Sequence, residues 1–203
     1  MKVRDIQPGK VAYSAAVKAC AGLGLRGIEE GRSMHDEIIK HGFDEDTVLG
    51  SSIIDFYAKC GKLEDAKKIF DALKHRDPIS WGAMIAGYVQ HGHGNTALAL
   101  FRKMLEEGVK PDRVILSCVL KACGVLGSLE IGEVVEVEVR KQGLLKKDVV
   151  LGTALMDMYF KCGEIDKARE MFEQLPERDV VSWSALIAGY AQNGLGDEAL
   201  QCF

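Results

Sequence analysis

Two segments of the chain are close copies of each other, and this repetition constrains the fold more than any other feature. Residues 48–70 read VLGSSIIDFYAKCGKLEDAKKIF, and residues 150–172 read VLGTALMDMYFKCGEIDKAREMF. Tyr57 and Tyr159 lie 102 residues apart (57 to 159), and the same offset continues beyond the quoted segments. Self-similarity at this scale is the signature of repeat architectures, in which each unit buries its apolar surface against its neighbours.

The apolar spacing within each copy is helical. Ala66, Ile69, Phe70 and Leu73 fall at i, i+3, i+4 and i+7, which is one face of an α-helix. No stretch alternates with period two for long enough to predict a sheet. Glycines stand where helices should turn or end: Gly61, Gly92, Gly127 and Gly163 inside pairs, and Gly42, Gly108 and Gly143 near pair ends. The sequence therefore predicts an all-α fold, an α-solenoid superhelix of helix–turn–helix repeats.

The predicted units differ in length and recur in a fixed order. We expect one array over residues 1–203: 1–9 as the tail of a preceding unit, 10–46 long, 47–77 short, 78–112 standard, 113–148 long, 149–179 short and 180–203 a truncated standard unit. The first helix of each pair is expected to line one surface, and the second to pack between layers. Because an apolar half-unit ends at Phe203 without a polar cap, we interpret the chain as a fragment of a longer array or a shortened gene product.

Composition and motifs exclude several function classes. The net charge of −4 gives no global attraction to nucleic acid, and no apolar run is long enough to predict a membrane span. The N-terminus is too short and too polar for a secretory signal or a transit peptide. The six cysteines lack disulfide-scaffold or CxxC spacing and are interpreted as buried thiols of a reducing compartment. The sequence has no zinc-deaminase signature, P-loop or dinucleotide fingerprint, so we predict no enzyme, cofactor or metal site.

Three segments carry the pattern of a known repeat family: DVVSWSALIAGYAQNGLGDEAL in a standard unit, DMYFKCGEIDKAREMFEQLPERD in a short one and KPDRVILSCVLKACGVLGSLEIGEVVEVEVRKQG in a long one. They resemble the pentatricopeptide repeat family, in its plant type with alternating standard, long and short repeats. The resemblance covers nearly the whole chain. Tetratricopeptide repeats expect Trp-x-x-Leu-Gly-x-x-Tyr early in each unit, whereas Trp81 and Trp183 are followed by GAM and SAL.

The resemblance implies a function in organellar RNA metabolism. The family binds single-stranded RNA, one base per repeat, each base read by two or three side chains. The resemblance therefore implies a role in RNA editing, processing, modification or stabilisation in a mitochondrion or chloroplast. The implied partners are single-stranded RNA and editing or processing factors. No association with a membrane is implied.

By resemblance, the reading residues are the second, fifth and last of each unit. The second residues are Val11, Val48, Ile79, Val114, Val150 and Val181; the fifth are Ser14, Ser51, Gly82, Ser117, Thr153 and Ser184; the last are Asp46, Asp77, Asp112, Asp148 and Asp179. The second and fifth residues lie three apart and share a helix face. A branched aliphatic side chain there can press on a base plane, and the hydroxyl beside it can hydrogen-bond a base edge.

The family's pairing of Ser or Thr with a closing Asp resembles a guanine reader, and Asn in place of Asp resembles an adenine reader. Ser51 with Asp77 and Thr153 with Asp179 therefore predict guanine. Gly82 with Asp112 predicts guanine less strongly, because glycine has no side chain to hydrogen-bond a base. The long units, with Ser14/Asp46 and Ser117/Asp148, are less reliable readers in this family and are candidate spacers.

Simpler interpretations remain open for each group. The aspartates could serve only as helix N-caps, the second-position residues could be core, and the fifth-position hydroxyls could be idle in water. Trp81 and Trp183 could stack on bases, although packing is favoured, and a solvated turn is favoured over a metal site for His91 and His93. Six basic residues could meet phosphates or be ordinary surface charge: Lys59, Lys67, Lys68, Lys161, Lys167 and Arg169. For the whole chain, the alternatives are a protein-interaction scaffold and a non-functional fragment.

Overall fold

The computed structural model describes residues 8–202, and every regular element within them is a helix. Residues 1–7 of the expected N-terminal tail, and Phe203 with its expected uncapped end, lie outside the described residues. The helices are α1 Lys10–Leu23, α2 Ile28–Lys40, α3 Thr47–Lys59, α4 Leu63–Ala72, α5 Pro78–Gln90, α6 Gly94–Glu106, α7 Arg113–Leu126, α8 Leu129–Lys141, α9 Val149–Lys161, α10 Ile165–Glu173, α11 Val180–Gln192 and α12 Gly196–Gln201, with a 3₁₀ turn Gly24–Gly27 after α1. The predicted all-α repeat fold is confirmed.

The helices form two compact bodies. The first runs to His93 and includes Leu100–Lys110; the second consists of Gly94–Ala99 and the chain from Pro111 onward. In the first body, α3 packs between α1 and α5, and α4 packs against both α3 and α5. In the second body, α9 packs between α7 and α11, and α10 covers α9 and α11. Within each body, neighbouring pairs are therefore joined by direct contact between first helices, in addition to the interlayer packing predicted for second helices.

This arrangement explains why the first helices are apolar on most sides. Helix α3 buries Leu49, Ile53, Ile54, Phe56 and Tyr57, since it has helical neighbours on both flanks. Helix α4, with only one covered face, buries fewer residues and turns a charged face to solvent. The difference in helix character follows from position in the stack.

Glycines permit the closest helix approaches. A methyl group placed on Gly31 would lie 2.1 Å from the Phe56 ring, and one on Gly132 would lie 2.5 Å from the Met158 sulfur. Gly31 and Gly132 end the matching EEG and EIG motifs of the two predicted long units. Both glycines therefore let α2 and α8 reach the next first helix, a role that periodicity did not reveal.

The turn glycines behave as predicted. All seven have positive φ angles, as at Gly127, where φ is 64° and the backbone N–H donates to the Cys123 carbonyl. This left-handed conformation suits glycine because it has no Cβ atom.

Aromatic packing resolves the role of the tryptophans. Trp81 is fully buried, and its ring meets Phe70 edge-on with 4.8 Å between centroids. Trp183 makes the equivalent contact with Phe172 at 4.7 Å while remaining 38% exposed. The packing interpretation is confirmed for Trp81.

The turn after α5 is linked to the preceding pair. His91 Nε2 lies 2.9 Å from the Ala58 carbonyl oxygen. In the second body Asn193 Nδ2 donates to the Phe160 carbonyl, at the corresponding place and at 3.2 Å. The sequence-based interpretation of His91 as a solvated turn residue was therefore incomplete, since its ring fastens one pair to the next.

Residues 8–202 contain neither a membrane-spanning helix nor a cluster of metal-ligating side chains. None of the helices described there combines the length and apolar character needed to cross a membrane. Over the same residues, no three His, Cys, Asp or Glu side chains gather as a metal site would require. Among the cysteines, burial raises the pKa of Cys123 to about 12, so its thiol stays protonated at neutral pH.

Candidate functional site

Aliphatic side chains are exposed at the start of every first helix. The second residues of the predicted units, Val11, Val48, Ile79, Val114, Val150 and Val181, are 59–85% exposed. The interpretation of these residues as core is therefore wrong. A single exposed aliphatic residue is ordinary. Recurrence at the same position of six helices instead makes these residues a candidate binding surface.

A groove separates two of these side chains in the first body. It has a volume of about 470 Å³, and its walls include Val11 from α1 and Val48 from α3. Ser14, Asp46 and Lys10 also line it. The second, fifth and last residues of the predicted unit 10–46 therefore line one cleft, although Asp46 is distant from the other two in sequence.

The five closing aspartates all cap helices. Each precedes a first helix and accepts hydrogen bonds from backbone N–H groups of its first turn. Asp77 Oδ1 accepts from the Ser80 N–H at 2.8 Å, and Asp179 Oδ1 accepts from the Ser182 N–H at 2.8 Å. The capping role is confirmed, and in every case it uses Oδ1.

The second carboxylate oxygen divides the aspartates into two classes. In Asp46 and Asp148 it binds a cation: Lys10 Nζ lies 2.7 Å from Asp46 Oδ2, and Arg113 Nε lies 2.5 Å from Asp148 Oδ2. No residue of 8–202 donates to Oδ2 in the other class, which comprises Asp77, Asp112 and Asp179. In these three aspartates, Oδ2 therefore remains an unpaired hydrogen-bond acceptor after Oδ1 has capped the helix.

Two of the aspartates have lowered pKa values, for different reasons. The ammonium group of Lys10 is the main cause of the lowered pKa of Asp46, followed by the Leu49 backbone N–H. The Ser182 backbone N–H is the main cause for Asp179. Both carboxylates are ionised at neutral pH and can only accept hydrogen bonds.

The fifth-position hydroxyls of the two predicted short units differ. Ser51 is buried, and its hydroxyl lies 2.8 Å from the Thr47 carbonyl oxygen and 3.1 Å from Asp77 Oδ1. Thr153 Oγ1 is shielded from solvent and has no hydrogen-bond partner among the described residues. Only the unit 149–179 thus has both an unused hydroxyl and an unused carboxylate oxygen.

The remaining fifth residues are less suited to reading. Ser14 lies 3.0 Å from the hydroxyl of Ser52, and Ser184 donates to the Val180 carbonyl at 2.6 Å. Ser117 is half-buried, and Gly82 has no side chain.

The six basic residues named as candidate phosphate contacts are all paired with carboxylates. Lys59 and Lys161 lie 2.7 Å from Asp55 and Asp157, one turn earlier on their own helices. The other four pairs join Lys67 to Asp71, Lys68 to Asp65, Lys167 to Glu133 and Arg169 to Asp166. This pairing favours their interpretation as ordinary surface charge.

Lys10 and Arg113 were missed by the sequence analysis. Each is the first residue of a predicted long unit and binds the aspartate that closes that unit. A signal was present, since the other units begin with uncharged residues: Thr47, Pro78, Val149 and Val180. Comparing first positions across the repeat would have revealed it.

Family models match much of the chain. The model described as "PPR repeat family" matches residues 76–124, and the model described as "PPR repeat" matches 51–77, 153–180 and 181–203. The matched segments together include the starts of α5, α7 and α11.

Similar proteins occur in Arabidopsis thaliana. Pentatricopeptide repeat-containing protein At2g33680 is 39% identical over 198 residues, which covers 98% of this chain and 27% of that protein. Another, At2g03880, named mitochondrial, is 38% identical over 100% of this chain and 31% of its own length. A third, At4g25270, named chloroplastic, is 39% identical over 94% of this chain and 36% of its own length. The chain thus spans roughly a third of the length of these relatives.

A solved structure shares the fold. The pentatricopeptide repeat protein PPR10, in complex with an 18-nucleotide psaJ RNA element, matches with a TM-score of 0.75 and 21% identity. The match covers 100% of this chain and 30% of PPR10.

Proposed function

The chain belongs to the pentatricopeptide repeat family, and we propose that it binds single-stranded RNA sequence-selectively. The observation that carries the proposal is the exposed aliphatic residue that recurs at the start of each first helix and that, in α3, α5, α7, α9 and α11, lies next to a helix-capping aspartate. The fold of PPR10, which was solved with RNA, supports the same assignment.

The proposed contact places each base against aliphatic surface. A base entering the groove between Val11 and Val48 would cover two branched side chains and remove apolar area from water. Its Watson–Crick edge would then face the fifth and last residues of the unit. Single-stranded RNA suits this geometry because its unpaired bases can be splayed out and read on their edges.

Guanine is the base that we assign to units with a hydroxyl and an unpaired carboxylate oxygen. The guanine edge carries N–H donors beside the O6 acceptor, so Asp179 Oδ2 can accept while the Thr153 hydroxyl donates. The Thr153 hydroxyl is shielded in its present rotamer, and rotation about χ1 would bring it to the base, since Thr populates two rotamers in helices. We therefore assign the strongest guanine preference to the unit 149–179, followed by Ser51 with Asp77.

The wider role is proposed from the family and from the order of the units. We assign the chain to the plant type with long, short and standard repeats, acting in organellar RNA editing or processing with further protein factors. Relatives named mitochondrial and chloroplastic support an organellar location. The proposed role is non-catalytic, and for so few repeats we expect a dissociation constant in the micromolar range or weaker, about 8 kcal/mol of binding free energy or less.

An Asp179→Asn substitution tests the proposal. Asn caps helices about as well as Asp, so the fold should persist while the acceptor-only carboxylate becomes an amide that can also donate. Binding of short labelled RNAs should shift from guanine toward adenine opposite the unit 149–179, by about tenfold in relative affinity for a discrimination of roughly 1.4 kcal/mol. Asp157→Asn is the matched control, because Asp157 lies within α9 and pairs with Lys161.

Three outcomes separate the interpretations. A shift in base preference for Asp179→Asn alone supports the reading role. RNA binding that is unchanged by Asp179→Asn would leave Asp179 as a cap only. A folded protein that binds no RNA would favour the scaffold hypothesis, which the net charge of −4 and the paired basic residues also suit.

A further inference from the structure

The two predicted long units share a feature that the other units lack: a basic first residue bonded to the closing aspartate. We propose that Lys10 and Arg113 suppress base reading in their own units, so that the long units hold RNA without selecting a base. This inference rests on the proposed RNA-binding function, and it assigns a specificity role to two residues outside the three reading positions.

The ion pairs leave the long-unit aspartates without an unpartnered carboxylate oxygen. Asp46 and Asp148 each use Oδ1 for the helix cap and Oδ2 for the cation. Their side chains are only 19% and 13% exposed, whereas Lys10 and Arg113 are 53% and 56% exposed. The cations are therefore more accessible to solvent than the carboxylates they bind, and Lys10 lines the same groove as Asp46.

A base is a weak competitor for such a carboxylate. Its N–H donors are neutral, whereas Lys10 and Arg113 each bring a full positive charge to the carboxylate, which adds Coulombic attraction to the hydrogen bond. Reading would require breaking the ion pair, whereas Asp77, Asp112 and Asp179 present Oδ2 without that step.

The first long unit is blocked at a second point. Ser52 donates its only hydroxyl hydrogen to the Val48 carbonyl at 2.9 Å, so Ser14 must donate its own hydrogen to Ser52 at 3.0 Å. Both polar readers of the unit 10–46 are therefore occupied within the protein, whereas in the unit 47–77 the Ser51 hydroxyl is bonded but Asp77 Oδ2 is not.

Selection of bound RNAs from a randomised pool, using the whole chain, tests the inference. Native protein should enrich guanine opposite the units 47–77 and 149–179 and show no preference opposite 113–148. Arg113→Ala should raise the guanine share opposite 113–148 by about threefold, in line with the modest strength of exposed ion pairs. Lys121→Ala is the matched control, since it removes a positive charge from the same helix, α7, without touching Asp148.

A second readout does not need RNA. The pKa of the Asp46 carboxyl group, followed by NMR, should rise in Lys10→Ala, because Lys10 is the main cause of its lowered value. Asp179 serves as the internal reference, since its pKa is lowered by the Ser182 backbone N–H. An unchanged Asp46 pKa would show that the ion pair does not form in solution and would overturn the inference.

The outcomes distinguish this inference from the proposed function. Guanine selection by the short units with no gain in Arg113→Ala would overturn the inference and leave the function intact. The same holds if native protein already selects guanine opposite 113–148. No RNA binding by any folded variant would overturn both.

Discussion

A hydroxyl at the fifth position of a unit has two different fates in this protein. Ser51 shares its hydrogen between the Thr47 carbonyl and Asp77, whereas Thr153 Oγ1 is shielded and unpartnered. An unmade hydrogen bond of a buried group costs about 1–3 kcal/mol. The unpaired Thr153 hydroxyl therefore destabilises the free protein, and a hydrogen bond to a ligand could remove this cost.

Thr153→Val should separate stability from recognition. Valine keeps the branched shape and removes the unpaired oxygen, so the free energy of unfolding should be unchanged or rise by up to about 1 kcal/mol. Affinity for RNA with guanine opposite the unit 149–179 should nevertheless fall. Chemical denaturation and RNA titration of the same preparation would measure the two effects.

Ser51→Ala provides the contrast for this substitution. It removes a hydroxyl that is hydrogen-bonded in the free protein, and it should lower the free energy of unfolding by about 0.5–1.5 kcal/mol. A Thr153→Val protein that is as destabilised as Ser51→Ala would mean that the threonine hydroxyl has a partner in solution.

At the level of helices, close approach depends on glycines that face a neighbour. The space beside Gly31 is filled by the Phe56 ring, and nothing lies within 4 Å of a methyl group placed on Gly22. Both glycines occur inside helices, α2 and α1, so the two sites compare the same chemical change with and without a neighbour.

Gly31→Ala should therefore destabilise the protein, and Gly22→Ala should stabilise it. The new methyl group on Gly31 forces the rigid Phe56 ring to move, and overpacking of this kind costs about 1–3 kcal/mol. At Gly22 only the helix propensity changes, which favours Ala by about 1 kcal/mol. Thermal unfolding followed by circular dichroism would show opposite shifts of Tm, and equal shifts would contradict this account of the packing.

Among the helices, features of a single helix end could be predicted from the sequence, whereas contacts between helices could not. Turn glycines and capping aspartates were predictable because both follow from the local needs of a helix end. The link from His91 to Ala58 and the pair Lys10–Asp46 were not predicted, because each joins residues more than thirty positions apart in sequence. Such contacts depend on how neighbouring helices pack, and only equivalence between repeats hints at them. The exposure of Val11 and its counterparts was likewise undecided until the packing was known.

For the whole molecule, the distribution of charge determines how much phosphate contacts could contribute to RNA affinity. The net charge is −4, and the six basic residues named as candidate phosphate contacts are bound to carboxylates. Each phosphate contact with one of them would have to break an ion pair. Base contacts with the proposed aliphatic and acidic reading residues should therefore supply more of the affinity than phosphate contacts with these six residues.

RNA affinity should consequently depend weakly on salt. For single strands, log K falls with log salt by about 0.7 for each phosphate that is neutralised, and we expect a slope smaller in size than about 1.5. Fluorescence anisotropy at several salt concentrations would measure it, with Lys67→Ala as a control that should leave the slope unchanged. A slope near 4 would show that the ion pairs open to bind phosphates.

If the closing aspartates read bases as proposed, their capping role also limits how this protein could acquire a new target. Because one oxygen of Asp77, Asp112 or Asp179 holds a helix end, a mutation there survives only if the newcomer is also a good N-cap. The good N-caps are Asp, Asn, Ser, Thr and Gly, and all of these except glycine have a hydrogen-bonding side chain. A lineage, or a designer, could thus rewrite the preferred base one repeat at a time along a path on which every intermediate still folds.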